Sequence, residues 1–263
     1  MTRKSIADLI LGDKELLPGD LEYETRLLAF VDLLGWKAAT QSMDPTELRR
    51  AILPIARRAQ IYNEQFREQV RTRKDIIFNP IFMEVQYCFF SDSFVFSTPI
   101  SFGPRIVTAV GDIALQLLQM GFLTRGAIVK GKVFHLDNIV FGPALVRAVQ
   151  LEKATVMPRV FFDRESIGDM PMWDMRPVIT DSEGTEVVNP FDLPGRGMDM
   201  EHFLRESFKF PEIVHSIEVG LRNAAGDDRR LAKWRYAKEN VLQALRLFGE
   251  EGRPYIEQLR ATG

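Results

Sequence analysis

Two aspartates stand where a carboxylate is either costly or conspicuous. Asp32 interrupts the apolar run Leu27 to Leu34 (LLAFVDLL), which stops at Gly35. Asp92 sits in Ser91-Asp92-Ser93, three turn-forming residues between two aromatic-rich stretches. A carboxylate in or beside a core loses its hydration and persists only where it is paired or holds a cation. Two carboxylates carried on neighbouring strand ends make an oxygen-rich pair suited to Mg2+ or Mn2+. Two such ions can clamp a triphosphate, activate a hydroxyl and neutralise the departing pyrophosphate. The plainer reading is that Asp favours turns and that Asp32 closes a strand.

The other reactive residues point less sharply. Cys88 lies in an aromatic stretch with no histidine placed to activate it, which suits a small buried apolar group better than a nucleophile. His135, His202 and His215 lack zinc spacing and a thiolate partner. Gly131-Lys132 is not a phosphate-binding loop, because G-x-x-x-x-G-K-[ST] is absent. Arg125 and Lys130 fall on an alternating segment where charges usually face water, the alternative being contact with phosphate. Tyr62, Tyr87 and Phe89 are candidates for stacking on a base, against the commoner role of core aromatics. Trp36 either covers the turn after Asp32 or fills space. Between Arg49 and Lys74, eight cations (Arg49, Arg50, Arg57, Arg58, Arg67, Arg71, Arg73, Lys74) face Glu64 and Glu68. They form either a solvated helix face or a positive rim that attracts anions.

These residues need elements to hold them. The run ending at Gly35 reads as a buried strand. Asp44-Pro45 opens a helix whose apolar positions Leu48, Ile52, Ile55, Ala59, Tyr62, Phe66 and Val70 share one face. Phe82 to Ser97 (FMEVQYCFFSDSFVFS) divides at Ser91-Asp92-Ser93 into two hairpin strands. Gly103-Pro104 starts a second helix through Ile106, Val110, Ile113, Leu117 and Leu118, ended by Gly121. Phe122 to Val133 is strand-like, Gly142-Pro143 opens a third helix to about Thr155, and Arg159 to Asp163 is a short strand. Residues 164–199 lack periodicity and read as irregular. Residues 201–224 and 228–250 read as helices, the second with Leu231, Trp234, Val241, Leu245 and Phe248 on one face. The pattern is α+β with a hairpin in the sheet, not a purely parallel sheet.

Composition bounds the possibilities. The chain has 263 residues, 46% hydrophobic and 27% charged, which excludes a disordered or low-complexity chain. Lys plus Arg is 34 against 36 Asp plus Glu, so a globally basic nucleic-acid binder is not expected. One cysteine rules out an internal disulfide. No stretch of roughly 18 apolar residues is present and the first residues do not read as a signal peptide, so a cytoplasmic protein without a membrane span is expected.

Four segments together carry a resemblance. Phe30-Val31-Asp32-Leu33-Leu34-Gly35-Trp36 resembles the F-x-D-x-x-G-F opening of class III nucleotidyl cyclases, and Phe90-Ser91-Asp92-Ser93 resembles their I-G-D hairpin. Thr124 to Val133 (TRGAIVKGKV) resembles R-I-G-I-H-x-G-x-V, and Phe141 to Glu152 (FGPALVRAVQLE) is similar to W-G-x-x-V-N-x-A-x-R-L-E. Order and spacing agree over residues 26–163. The resemblance implies a ferredoxin-like, palm-type α+β sheet with a central hairpin over residues 25–165. A segment of residues 1–24 precedes it. Residues 166–263 form a C-terminal extension, irregular then helical, packed on the catalytic domain.

The departures are informative. The family's transition-state Asn and Arg fall on Val146 and Gln150, leaving neighbouring Arg147 as the candidate cation. The purine-reading positions fall on Cys88 and Ile139, so neither purine code is present. A base-reading site rejects the wrong base by leaving polar groups unpaired, and losing the purine pair argues for another base. This directs the resemblance toward the pyrimidine cyclases of anti-phage Pycsar systems, through the F-V-D-x-L-G opening and the S-D hairpin. The run Lys233 to Asn240 (KWRYAKEN) also resembles a basic, aromatic helix of standalone relatives.

If the resemblance holds, Asp32 and Asp92 are catalytic with Arg147, and two Mg2+ or Mn2+ ions sit at Asp32, Leu33 and Asp92. Leu34, Gly35, Trp36 and Arg125 bind the triphosphate, and Cys88 and Ile139 line the base pocket. The implied reaction turns UTP, or CTP, into a 3′,5′-cyclic monophosphate and pyrophosphate. It implies a head-to-tail homodimer with composite sites, and a product read by a separate effector in anti-phage signalling. A purine cyclase and a non-catalytic nucleotide-binding module remain the alternatives.

Overall fold

The interrupted apolar run becomes the centre of a sheet. The computed structural model describes residues 23–50, 52–55, 57, 85–136, 138–169, 178–191 and 208–261. Strand β1 (Glu24–Leu34) alternates faces as extended backbone must. Leu27, Ala29, Val31 and Leu33 enter the main core. Arg26, Leu28, Phe30 and Asp32 fall on the opposite face. β1 is flanked by β3 (Ser93–Pro99) and β4 (Leu123–Leu136), both antiparallel to it. β2 (Gln86–Phe90) joins β3 through a two-residue loop, Ser91 and Asp92, with Ser91 at φ 57°. The hairpin is thus where the three turn formers place it.

Helix α1 (Trp36–Ser42) follows β1 directly. Residues 45–50 and 52–55 are helical again. Asp44 caps this second helix by accepting from the backbone amides of Thr46 (2.8 Å) and Glu47 (3.4 Å). Its buried Ile52 and Ile55 match the expected face, while Ala59, Tyr62, Phe66 and Val70 lie outside the described residues. So do Arg58, Arg67, Arg71, Arg73 and Lys74 of the basic stretch, Phe82 and His202.

Helix α2 (Gly103–Gln119) lays Ile106, Val107, Val110, Ile113 and Leu117 on the sheet. It ends at Gly121, whose amide reaches the carbonyl of Leu118 at 3.0 Å. β4 runs three residues past the expected Val133 and pairs at its end with the short β5 (Ile139–Phe141). Helix α3 (Pro143–Ala154) covers the Asp32 face, with Ala144 and Ala148 against Leu28, Val129 and Val133. It returns the chain to β6 (Val160–Phe162), parallel to β4, the one parallel pair among the described strands. These strands run in the order β2-β3-β1-β4-β6 across the sheet, a mixed α+β architecture.

The expectation of irregular structure over 164–199 is corrected. The described residues there hold helix α4 (Arg164–Ile167) and the antiparallel pair β7 (Val178–Thr180) and β8 (Glu186–Val188), which extends the same sheet beyond β6. Three-residue strands are too short to show alternation in a sequence.

Helices α5 (Phe210–Asn223), α6 (Asp228–Arg246) and α7 (Arg253–Ala261) pack on the outer side of α2. Phe208 and Lys209 precede α5 outside any helix, α6 stops at Arg246 short of the expected 250, and α7 was not expected. Their shared core includes Phe191, Phe210, Ile217, Val241, Leu245 and Leu259, all fully or nearly buried. Each such side chain contributes roughly 1.5–3 kcal/mol by leaving water. A polar anchor adds direction. Buried Asp181 accepts hydrogen bonds from the Tyr236 hydroxyl (2.7 Å) and Arg159 Nη1 (2.6 Å), tying α6 to the β7–β8 connection.

Candidate active site

Asp32 and Asp92 come from separate segments and meet at one end of the sheet. Asp32 pairs with Ser93 across β1 and β3, and the amide of Leu33 donates to the Asp92 carbonyl at 2.8 Å. The Asp32 side chain is 20% exposed. Its carboxyl is pushed up to about 6, first by burial and then by the negative charges of Glu152 and Asp92. Arg125 and a hydrogen bond from Ser93 act against that rise without cancelling it.

Two further side chains close this cluster. Glu152, buried on α3, forms an ion pair with Arg125 of β4. Arg125 Nη2 is 3.6 Å from Asp32 Oδ2, and its Nη1 donates to the Thr155 carbonyl at 3.1 Å. The guanidinium expected at a triphosphate is therefore held between two carboxylates. Lys233 of α6 is half-buried and close enough to Asp32 and Arg125 for both to act on its charge. Burial, followed by the Arg125 charge, draws its ammonium below the usual lysine range. Neither Glu152 nor Lys233 was picked out from the sequence as a site residue. The signals were present, as the terminal Glu of the FGPALVRAVQLE segment and the first residue of KWRYAKEN.

The turn after Asp32 has the form its residues require. Gly35 adopts φ 93° and ψ −5°, a left-handed conformation that a Cβ disfavours, and open space surrounds it. Leu33 is buried, and Leu34 lines a cleft. Trp36 fills core space, with its ring 6.1 Å from Phe122 and 6.5 Å from Phe89. Tyr87 and Phe89 likewise pack on Phe94, at 6.0 and 4.6 Å between ring centres, while Tyr62 lies outside the described residues.

Of the two residues expected in the base pocket, Cys88 lies against the backbone that leads into Ile139. Cys88 is buried beside Val95 and Leu28, and its sulfur lies 3.7 Å from the carbonyl of Asn138, the residue before Ile139. Burial pushes the thiol up, away from a reactive thiolate. Arg147 is engaged elsewhere, with its guanidinium forked onto Asp163 and Glu165. Val146 is 58% exposed and Gln150 is also exposed on α3. His135 lies in the interior with its Nδ1 2.9 Å from the Ser97 hydroxyl, while His215 is exposed.

The arrangement can do one kind of chemistry well. Two adjacent carboxylates beside a third, Glu152, leave an excess of negative charge that a divalent cation would relieve. Among the described residues, no three His, Cys, Asp or Glu side chains converge as a ready-made metal cage. Asp32 and Asp92 would be the side chains to hold such a cation, and oxygen ligands from elsewhere would be needed beside them. No described helix is long and apolar enough to cross a membrane.

No protein-family model matches the sequence, and no curated protein does. Solved structures do resemble it. A bacterial light-regulated adenylyl cyclase is 17% identical, with 70% of this chain and 58% of that one covered and a TM-score of 0.41. The dimeric guanylyl cyclase domain of the RhoGC fusion protein from the aquatic fungus Blastocladiella emersonii is 11% identical, covering 64% and 93%, with a TM-score of 0.40. The adenylyl cyclase CyaB from P. aeruginosa is 13% identical, covering 68% and 100%, with a TM-score of 0.36. The chain thus spans 58% of the length of the light-regulated cyclase.

Proposed function

We propose that the protein is a nucleotide cyclase that converts a nucleoside triphosphate into its 3′,5′-cyclic monophosphate. The observation that carries this reading is the meeting of Asp32 and Asp92 at the hairpin, beside the Gly35 turn. The two residues occupy the positions that the sequence resemblance gives to the metal-binding carboxylates. In the reaction the ribose 3′-oxygen bonds to the α-phosphorus, the bond to the β-phosphate oxygen breaks, and pyrophosphate leaves. The proton of the 3′-hydroxyl passes to solvent.

Asp32 and Asp92 would hold Mg2+ or Mn2+, with Leu33 contributing at the same strand end. The metal ions supply charge neutralisation on the phosphates and acidify the attacking hydroxyl. The chain's own residues position and compensate charge. The turn Leu34-Gly35-Trp36 presents backbone to the triphosphate, and Gly35 keeps the approach open. Arg125, held by Asp32 and Glu152, fixes the two carboxylates at one edge of the site. Such fixed charges act without reorganising during the reaction, which is where most of the rate is gained.

The base is proposed to be a pyrimidine, UTP ahead of CTP. Cys88 and Ile139 offer no amide or charged group to read a purine edge, and the Cys88 sulfur faces a carbonyl rather than a donor. We further propose a homodimer. Phe90 (76% exposed), Val146 and Phe141 (44%) lie out in solvent around the face that α3 partly covers, and a second copy would bury them. A cyclic pyrimidine product would be a second messenger read by a separate effector, with anti-phage signalling as its setting.

A non-catalytic nucleotide-binding module is the second reading. It is favoured by the Arg147 fork, which leaves no obvious transition-state cation on α3. Incubation with ATP, GTP, CTP and UTP separately, each with Mn2+, followed by mass spectrometry decides among these. Cyclic UMP or cyclic CMP alone supports the proposal. Cyclic AMP or cyclic GMP keeps a cyclase and discards the base assignment. No product from any of the four, with metal binding verified, favours the module.

A further inference from the structure

A cleft of about 820 Å³ opens beyond the Gly35 turn, in the size range of small-ligand sites. One wall is the turn and helix α1, with Gly35, Lys37 and Gln41. The facing wall is α5 and α6, with His215, Arg230 and Lys233. Among the described residues that line it are three fixed cations and no Asp or Glu. None of those cations forms a side-chain ion pair within the described residues, in contrast to Arg125, Arg147 and Arg159. Asp227 and Asp32 act on Lys233 from outside the cleft, against Arg125 and Arg229, while the lining itself carries cations and no carboxylate, so the cleft favours an anion. The cleft begins at Leu34, two residues past Asp32, and Lys233 feels the Asp32 charge, so a bound anion would continue directly from the carboxylate pair.

We propose that the C-terminal helices form one wall of the polyphosphate site, with Arg230 and Lys233 facing Lys37 across the cleft to hold the β- and γ-phosphates of the substrate. This rests on the cyclase reading for the identity of the substrate, but the cleft's affinity for polyphosphate does not. It gives residues beyond 200 a direct part in the site, supplied by the same chain.

Two features fix the wall. The Trp234 ring lies against Gly220 of α5, where a Cβ would come within 2.2 Å of the ring. Tyr236, just under one turn beyond Lys233, is bonded to buried Asp181. Together they set how α6 faces the turn, so Lys233 is placed by the packing of the extension rather than by a flexible tail.

The test uses the full-length protein and inorganic tripolyphosphate, followed by titration calorimetry at low salt without nucleotide. The wild type should bind, and the R230Q/K233Q double variant should bind at least about tenfold more weakly, since each lost charged hydrogen bond counts for about that factor. Arg260→Gln, on α7 away from the cleft, should leave binding unchanged. If the double variant departs from the wild type in circular dichroism, Lys233→Met keeps the aliphatic stem and should still lose several-fold. Absence of wild-type binding, or equal binding by the folded variants, overturns the proposal. Competition with the non-cyclisable α,β-methylene analogue of UTP identifies the source of the phosphate. Displacement of tripolyphosphate supports the assignment to the substrate tail, and simultaneous binding overturns it. If tripolyphosphate binding needs Arg230 and Lys233 but no triphosphate yields a cyclic product, the cyclase reading fails and the polyphosphate wall stands. If cyclic product forms while tripolyphosphate binding ignores both residues, the reverse holds.

Discussion

Replacing Asp32 by Asn should stabilise the metal-free protein while abolishing its activity. The folded state holds the Asp32 proton up to about 6, against an ordinary value of 3.8. Raising a carboxyl in this way favours its neutral form, so the native state at high pH bears the cost of ionising it. The difference is just over two units, each worth 1.36 kcal/mol, a ceiling of about 3 kcal/mol. Partial exposure of the side chain screens its neighbours and brings the expected figure to about 1–2 kcal/mol. Asn is nearly isosteric and never ionises, so Asp32→Asn should gain that amount at pH 8. The sign follows from the raised value. In the wild type this contribution to stability is fully present below about pH 4 and is lost as pH rises through about 6. The advantage of the variant should therefore roughly halve at pH 5 and nearly vanish at pH 4. Urea unfolding with a chelator, at pH 8, 5 and 4, measures it. Adding Mn2+ at pH 8 should stabilise the wild type and leave the variant unmoved, by mass action on the folded state. A variant that is less stable than the wild type at pH 8, or whose advantage ignores pH, would refute the claim that Asp32 is a strained, negatively surrounded carboxylate.

Asp92→Ala should abolish turnover without lowering the melting temperature by more than a degree or two, because its side chain serves the site while its carbonyl holds the hairpin; an active, folded variant would remove Asp92 from the metal pair. Arg147→Ala should lower kcat by about 10²–10³ with little change in KM if Arg147 leaves Asp163 and Glu165 to reach the transition state in the dimer. An unchanged kcat would confine it to the ion pairs seen on its own chain. Tyr236→Phe removes a hydrogen bond to buried Asp181 and should cost about 1–2 kcal/mol in denaturant unfolding. It should also weaken tripolyphosphate binding several-fold, whereas a purely local role would leave that affinity unchanged. Activity per chain should fall on dilution below the dimer dissociation constant, followed alongside analytical ultracentrifugation, and a constant specific activity in the monomer range would count against composite sites.

The carboxylate pair was legible because its environment is local. Asp32 breaks an apolar alternation, Gly35 ends it, and three turn formers bracket Asp92, so strand, turn and hairpin are written in adjacent residues. The antiparallel registers then bring the two together, since Asp32 pairs with Ser93. What escaped the sequence is what depends on packing between distant elements. Arg125 reads as a strand cation free to meet phosphate, and only the seating of α3 on the sheet shows Glu152 taking its charge. Lys233 reads as part of a basic, aromatic helix, and its place beside Asp32 is set by Trp234 on Gly220 and by the Tyr236 anchor, neither of which leaves a periodic trace. β7 and β8, at three residues each, are held by pairing to β6 rather than by their own pattern. The strand partners, not the strand sequences, carry that information.

The central claim is that Asp32 and Asp92 together catalyse internal attack on the α-phosphorus. It is tested most directly by measuring pyrophosphate and cyclic monophosphate in the same reaction, for the wild type and for D32N/D92N of verified fold, with UTP and Mn2+. The account predicts equal molar amounts of both products from the wild type and neither from the double variant. Pyrophosphate without cyclic nucleotide, or cyclic nucleotide from the double variant, would contradict it.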